Sequence, residues 1–154
     1  VSTLTLDEES YPPVRLQRVY LVRASFEDEG AVFRPNARDY IVDLSVNRRS
    51  ELELSVELAV ALTAATAGET PLRVSACYGA DFVLAEDLLP AERDEVLRQT
   101  AYELAPAVLY SYVRQVFDDL TGRGRAERIT LPFMPIPLEL EEDEMQIPAP
   151  PPQS

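Results

Sequence analysis

The residues predict an α+β fold, a four-stranded antiparallel sheet followed by an interrupted long helix. Two changes of period carry this expectation. From Tyr40 to Leu84 apolar residues recur at every second position in three successive runs, the spacing of strands with one buried face. After Pro90 the recurrence shifts to every third and fourth position, the spacing of a helix with an apolar stripe, and Pro106 stands inside that run.

The first element is preceded by Asp7, Glu8, Glu9, Pro12 and Pro13, which predict an acidic flexible arm over residues 1–14. Order is expected from Arg15 onward. Leu16 to Phe26 is rich in β-branched and aromatic residues, and Tyr20, Val22, Ala24 and Phe26 lie two apart, which predicts a half-buried first strand. Glu29-Gly30 and Arg34-Pro35-Asn36 then mark a loop. In the second strand Tyr40, Val42, Leu44 and Val46 alternate with Ile41, Asp43, Ser45 and Asn47.

The third strand has the clearest pattern: Leu52, Leu54, Val56, Leu58, Val60 and Leu62 share one parity, while Glu51, Glu53, Ser55 and Glu57 share the other. A helix would scatter those six apolar residues around its circumference. Thr66 to Pro71, with Gly68, predicts a hairpin into a fourth strand that points Leu72, Val74, Ala76, Tyr78, Phe82 and Leu84 inward. Gly79 within that strand predicts a bulge or a close backbone approach.

Pro90 suits the first position of a helix, and Ala91 to Leu104 is rich in helix formers until Pro106 interrupts it. Val108, Leu109, Tyr112, Val113, Val116, Phe117 and Leu120 then form a wide stripe, with Gly122 in the place of a C-terminal cap. Ile129 to Leu140 is extended and apolar, and Pro132, Pro135 and Pro137 forbid both helix and central strand, so this segment is expected to cross a surface. Glu139, Glu141, Glu142, Asp143 and Glu144, followed by Pro148 and Pro150 to Pro152, predict an acidic, proline-rich flexible tail over residues 139–154. One ordered domain, residues 15–138, lies between arm and tail.

Composition narrows the chemistry. The 154 residues are 46% hydrophobic, enough for one core, and carry a formal charge of −13 that repels a phosphate backbone, so no nucleic-acid partner is expected. All basic residues are Arg, and His and Trp are absent, which removes Schiff-base lysines, imidazole triads and imidazole metal sites. No carboxylate pair is positioned across a cleft by its spacing, so neither an enzyme nor a cofactor is expected. The single Cys77, on the outward parity of the fourth strand, cannot form an internal disulfide and suits a reducing cytoplasm; it is expected to be inert, with Arg73 the nearest candidate to activate it. No apolar run reaches the roughly 20 residues of a membrane helix, and the acidic start lacks the basic opening of a signal peptide.

Three groups of short sequences, taken in order, point to a family. Gln17-Arg18-Val19-Tyr20 is followed by Ser25-Phe26-Glu27 and Val32-Phe33; Gly79-Ala80-Asp81-Phe82 closes the fourth strand; Ala105-Pro106 leads through Leu109-Tyr110 and Arg114 to Thr121-Gly122-Arg123-Gly124, with Leu131 and Pro132 beyond. Over residues 15 to 137 the chain resembles the SecB protein-export chaperones and their SecB-like relatives. The resemblance implies an ATP-independent holding chaperone, packed as a dimer of dimers in a homotetramer, that binds unfolded polypeptides in long apolar grooves. It also implies that Glu27 matches an acidic position by which the family docks the SecA motor. Arg23, Arg73 and Ser75 depart from that docking pattern, and prolines and acidic residues occupy the place of the family's final helix. These departures weigh against SecA and leave open a client such as an antitoxin.

By the same resemblance, Phe33, Tyr40, Val42 and Leu44 with Leu131, Phe133, Met134 and Ile136 are expected along the client groove, where Met repacks readily and proline prevents collapse. Val108, Tyr112, Val116 and Leu120 are expected at a subunit interface. The residues alone also admit a small apolar ligand carrier, in which sheet and helix enclose a cavity, and an adaptor whose acidic tail recruits a basic partner.

Overall fold

The computed structural model describes residues 13–27, 40–64, 72–123, 131 and 147–152. Four strands come first, β1 (Val14–Glu27), β2 (Tyr40–Arg48), β3 (Glu53–Ala64) and β4 (Leu72–Leu84), and two helices follow, α1 (Pro90–Gln99) and α2 (Ala105–Thr121). All pairings are antiparallel, in the order β1-β4-β3-β2. The chain thus crosses from β1 at one edge to β2 at the other and returns by way of β3 and β4, a Greek-key type of order.

The expected alternation holds through three strands. Tyr40, Val42, Leu44 and Val46 stand opposite Leu62, Val60, Leu58 and Val56, and these in turn stand opposite Val74, Ala76, Tyr78 and Ala80. Because paired residues point to the same side, β2, β3 and β4 present one continuous apolar inner face. Four turn residues join β2 to β3, closed where the Arg49 and Ser50 amides both reach the Glu53 carbonyl, at 3.0 and 3.4 Å.

β1 departs from its expected pattern. Its register against β4 slips between Leu16 and Arg18 and again between Leu21 and Arg23, each slip adding one unpaired residue. Every bulge reverses the parity beyond it, so the face shared by Tyr20, Val22, Ala24 and Phe26 is broken. Tyr20 points to the outer face opposite Gly79, whereas Ala24 and Phe26 point inward opposite Ala76 and Val74. Leu16 and Leu21 also stand on the inner side, yet at the open edge, 42% and 52% exposed.

The interruption expected at Pro106 takes the form of a wider turn, with helix on both sides. Between α1 and α2 lies a π-helical segment, Thr100–Leu104, and the Ala105 amide reaches five residues back to the Thr100 carbonyl. Pro106 has no amide hydrogen to give and its ring would collide with the carbonyl four residues earlier, so opening the turn by one residue lets the helix continue. The wider turn also serves the core. Leu97, Ala101, Ala105, Leu109, Val113, Phe117 and Thr121 recur at every fourth position and are all buried. On an unbroken α-helix such a row rotates by about 40° per step, and the π turn, with more residues per turn, takes part of that rotation back.

Pro90 opens α1, and the Glu92 carboxylate accepts from the Leu89 amide at 3.4 Å, the only half of a capping box available when the capping residue has no acceptor. Arg93 on α1 reaches Glu51 in the β2–β3 turn at 3.5 Å. Gly122 does cap α2, but at φ −66°, so the position needs no left-handed backbone. Leu131 lies in the core at 1% exposure, and its carbonyl accepts from Arg114 Nε at 3.0 Å. Ile147 packs against the same core, with Pro148, Ala149, Pro151 and Pro152 exposed around it. The Thr66–Pro71 connection and the segment around Phe133, Met134 and Ile136 lie outside the described residues.

Phe117 sits at the centre of this packing. Phe117→Ala is expected to lower unfolding free energy by about 3–5 kcal/mol in urea titrations. Tyr112→Ala, on the half-open flank of the same helix, is expected to cost markedly less.

Candidate functional site

Helix α2 lies along the inner face over β4 and β3 and reaches β1. Leu109, Val113 and Phe117 press into the sheet, all fully buried, and Val108, Tyr112, Val116 and Leu120 form the adjacent stripe. On the β1 side, Tyr112, 41% exposed, rests its ring 5.4 Å from that of Tyr78, whose strand partner is Leu21. A partly open apolar strip therefore runs from the helix to the β1 edge. On the other side, the Tyr40 ring lies 6.4 Å from that of Phe117, and Val42, Leu44 and Val46 continue the row along β2, all half-buried. The helix thus divides the inner face into two apolar flanks, one bordered by each edge strand.

The outer face is built around a carboxylate. Asp81, 7% exposed, accepts from Ser55 Oγ at 2.7 Å, from Arg18 Nε at 2.6 Å and from the Tyr20 hydroxyl at 3.2 Å, with Arg49 at 4.0 Å. Burial alone would raise its pKa. The hydrogen bonds from Ser55 and Arg18, the charge of Arg49 and the bond from Tyr20 outweigh that and hold the carboxyl below the ordinary carboxylate range. Burial, then the Asp81 charge, push the Tyr20 phenol up. The Arg18 guanidinium also stacks 4.9 Å from the centre of the Tyr20 ring.

Gly79 makes this arrangement possible by close approach and not by a bulge. A Cβ there would fall 2.6 to 2.9 Å from the Cε2, Cζ and hydroxyl atoms of Tyr20. The bulges lie across the ladder, in β1.

No family model matches the chain. The protein-export protein SecB of Psychrobacter arcticus is 29% identical over 132 residues, spanning 81% of this chain and 84% of that protein. SecB of Psychrobacter cryohalolentis is also 29% identical over 132 residues, spanning 81% and 83%. The chain is similar to SecB over most of its length. Its sheet and long helix match the fold of a Mycobacterium tuberculosis SecB-like chaperone, solved in complex with a peptide from an antitoxin, with a TM-score of 0.55 at 20% identity over 82% of this chain and 94% of that one.

In this chain the expected groove residues fall into separate settings. Tyr40, Val42 and Leu44 come together on the β2 flank; Leu131 is buried in the core, its carbonyl held by Arg114; Phe33, Phe133, Met134 and Ile136 lie outside the described residues. Glu27 is exposed at the end of β1 and stands opposite Arg73 on the outer face. Arg23 stands opposite Cys77 and Ser25 opposite Ser75, their hydroxyls 2.6 Å apart, so three of the positions that depart from the docking pattern share one surface with Glu27. Cys77 is 2% exposed; burial pushes its thiol up, and the nearby cation pulling the other way is Arg23, not the expected Arg73. Among the described residues no helix is long and apolar enough to cross a membrane.

In the sequence Arg18 and Asp81 stand out only as pieces of short motifs, Tyr20 also as part of the first strand's alternation and Arg15 as its start, and no pattern marks Arg49. A signal was available: an aspartate on the outward parity of a central strand needs donors, and only outward arginines, tyrosines or serines could provide them.

Two outcomes follow for this cluster. Gly79→Ala is expected to displace the Tyr20 ring and destabilise the fold by about 1–3 kcal/mol, read by thermal or urea unfolding. Asp81→Asn is expected to cost about 2–3 kcal/mol at neutral pH. The folded-state pKa of Asp81 is depressed, so its contribution is complete above about pH 4 and fades as pH falls further; the gap between wild type and variant should close on acidification.

Proposed function

We propose that the chain is an ATP-independent holding chaperone of the cytoplasm, a binding protein without catalysis or cofactor, that grips unfolded polypeptides along the β2 flank of α2. One observation carries this reading. The apolar row Tyr40, Val42, Leu44 and Val46 stays only half-buried on a strand that the helix does not lie over. Phe33, Phe133, Met134 and Ile136 extend the groove in this proposal, whereas Leu131, expected there from the sequence, is 1% exposed and belongs to the core.

Each large apolar client side chain contributes roughly 1.5 to 3 kcal/mol when buried, and the ordering of an unfolded client offsets part of it. A single groove is therefore weak, and several grooves in one assembly raise the effective affinity without demanding a particular sequence. Assembly as a dimer of dimers is supported by β1, an edge strand of 14 residues with Leu16, Leu21 and Val22 open, and by Tyr112 beside it. Long apolar edges of this kind require cover in a well-behaved protein. Val108, Tyr112, Val116 and Leu120 belong to the interface in this proposal, the domain spans residues 15–138, and the arm and tail flank it.

The names of the relatives point to protein export, and the antitoxin peptide in the similar structure points to a single dedicated client; both are chains held before folding. Glu27 remains the acidic docking position in this reading, but the arginines around it argue against SecA.

The purified chain should suppress aggregation of a chemically unfolded model protein, followed by light scattering without nucleotide. Val42→Asp should reduce client affinity by about tenfold or more with the assembly intact by multi-angle light scattering. Unchanged affinity in that variant would place the groove elsewhere, and no suppression at molar excess would overturn the reading.

A further inference from the structure

The formal charge is −13, yet the outer face of the sheet is not uniformly acidic. Arg15, Arg18 and Arg23 project from β1 and Arg73 from β4, and Arg49 joins them from the β2–β3 turn. Against these five stand the buried Asp81 and Glu27 opposite Arg73. The other half of the face, on β3 and β2, carries Glu53, Glu57 and Asp43.

The basic half also has shape. Arg15, Leu16, Gln17, Arg18, Arg49 and Asp81 line an open depression of about 610 Å³. Within it three guanidinium groups face one carboxylate, and that carboxylate is already engaged by Ser55 and Tyr20. Asp81 holds the Nε of Arg18 at 2.6 Å, so the terminal nitrogens of a side chain that is 63% exposed are the ones left for a ligand. Arg15 and Arg23 have no ion-pair partner among the described residues.

We propose that this half-face docks a carboxylate-rich polypeptide segment, lying along β1 from Arg23 to the depression at Arg15 and Arg49. Planar guanidinium forks match carboxylates in paired hydrogen bonds. Arg15 stands opposite Val83 and Arg23 opposite Cys77, so with its two bulges this stretch covers six paired steps of about 3.3 Å, roughly 20 Å, and the matching segment is about seven extended residues. A short acidic stretch within a protein meets only the basic half, whereas a long polyanion would run onto Glu53, Glu57 and Asp43 and the field of the whole chain. Two copies of this chain repel one another for the same reason. The proposal is independent of the client groove, which lies on the opposite face.

The test is fluorescence anisotropy on the intact protein at low ionic strength. The probes are a labelled octapeptide of alternating Glu and Ser, its Gln and Ser counterpart, and a single-stranded oligonucleotide of eight bases. The glutamate peptide should bind about tenfold tighter than the glutamine peptide and tighter than the oligonucleotide, and lose affinity as salt is raised. Arg15→Glu with Arg23→Glu, both on the exposed surface, should weaken the glutamate peptide about tenfold while thermal unfolding and binding of an unfolded client stay unchanged. Equal binding of the two peptides, or no effect of the double variant, would overturn the proposal. Tighter binding of the oligonucleotide would assign the face to nucleic acid instead, and low-salt self-association abolished by the double variant would assign it to a second copy.

Discussion

The width of one helix against the width of four strands governs this molecule. With its side chains a helix measures about 10–12 Å across, and strands spaced about 4.8 Å apart put the two edge axes roughly 14 Å from each other before any side chain is added. α2 can therefore seal the middle of the inner face, where Leu54, Val56, Leu58 and Phe82 meet Leu109, Val113 and Phe117, and must leave the edge rows partly uncovered. Tyr40, Val42, Leu44 and Val46 on one flank and Leu16 and Leu21 on the other are the residues that one helix leaves partly open, with Tyr112 of the helix half-open beside them. Half-buried apolar rows beside a fixed core are a structural opening for binding, and the helix leaves one such row on each flank.

Holding that helix in place took a local departure from regular winding. The buried row from Leu97 to Thr121 advances by four residues at each step, too many for an α-helix to keep on one line. The π turn at Thr100–Leu104 corrects the phase where Pro106 has already removed an amide hydrogen. Chain chemistry and core packing are thereby satisfied at one site. Arg114 adds a second constraint, tying Leu131 to the helix by its carbonyl and closing the core from the C-terminal side.

The outer face follows a different logic. β1 is held to β4 by a polar centre as well as by its ladder: Arg18 and Tyr20 from one strand and Ser55 from another converge on Asp81. A lone carboxylate in that position would be costly to bury, and three donors together with the nearby charge of Arg49 reverse the sign of its preference. Gly79 leaves the space for the Tyr20 ring that closes the cluster. The same arginines, projecting beyond what one aspartate neutralises, give a basic surface to an otherwise acidic protein.

Period and composition alone determined β2, β3, β4 and the helical half, because one-sided burial writes its repeat directly into residues such as Leu54 to Leu62 and Leu109 to Phe117. They did not determine the strand order, since β1 pairs with β4 across separations that run from Glu27 and Arg73 to Val14 and Leu84, and that choice depends on partners distant in the chain. Nor did they determine the face of Tyr20, because two bulges invert parity and a bulge arises from how two strands fit one another. The gathering of Arg15, Arg18, Arg49, Ser55 and Asp81 from four separate places in the chain was likewise decided by tertiary structure. A repeat can be read locally, whereas a contact between distant residues exists only once the sheet has chosen its neighbours.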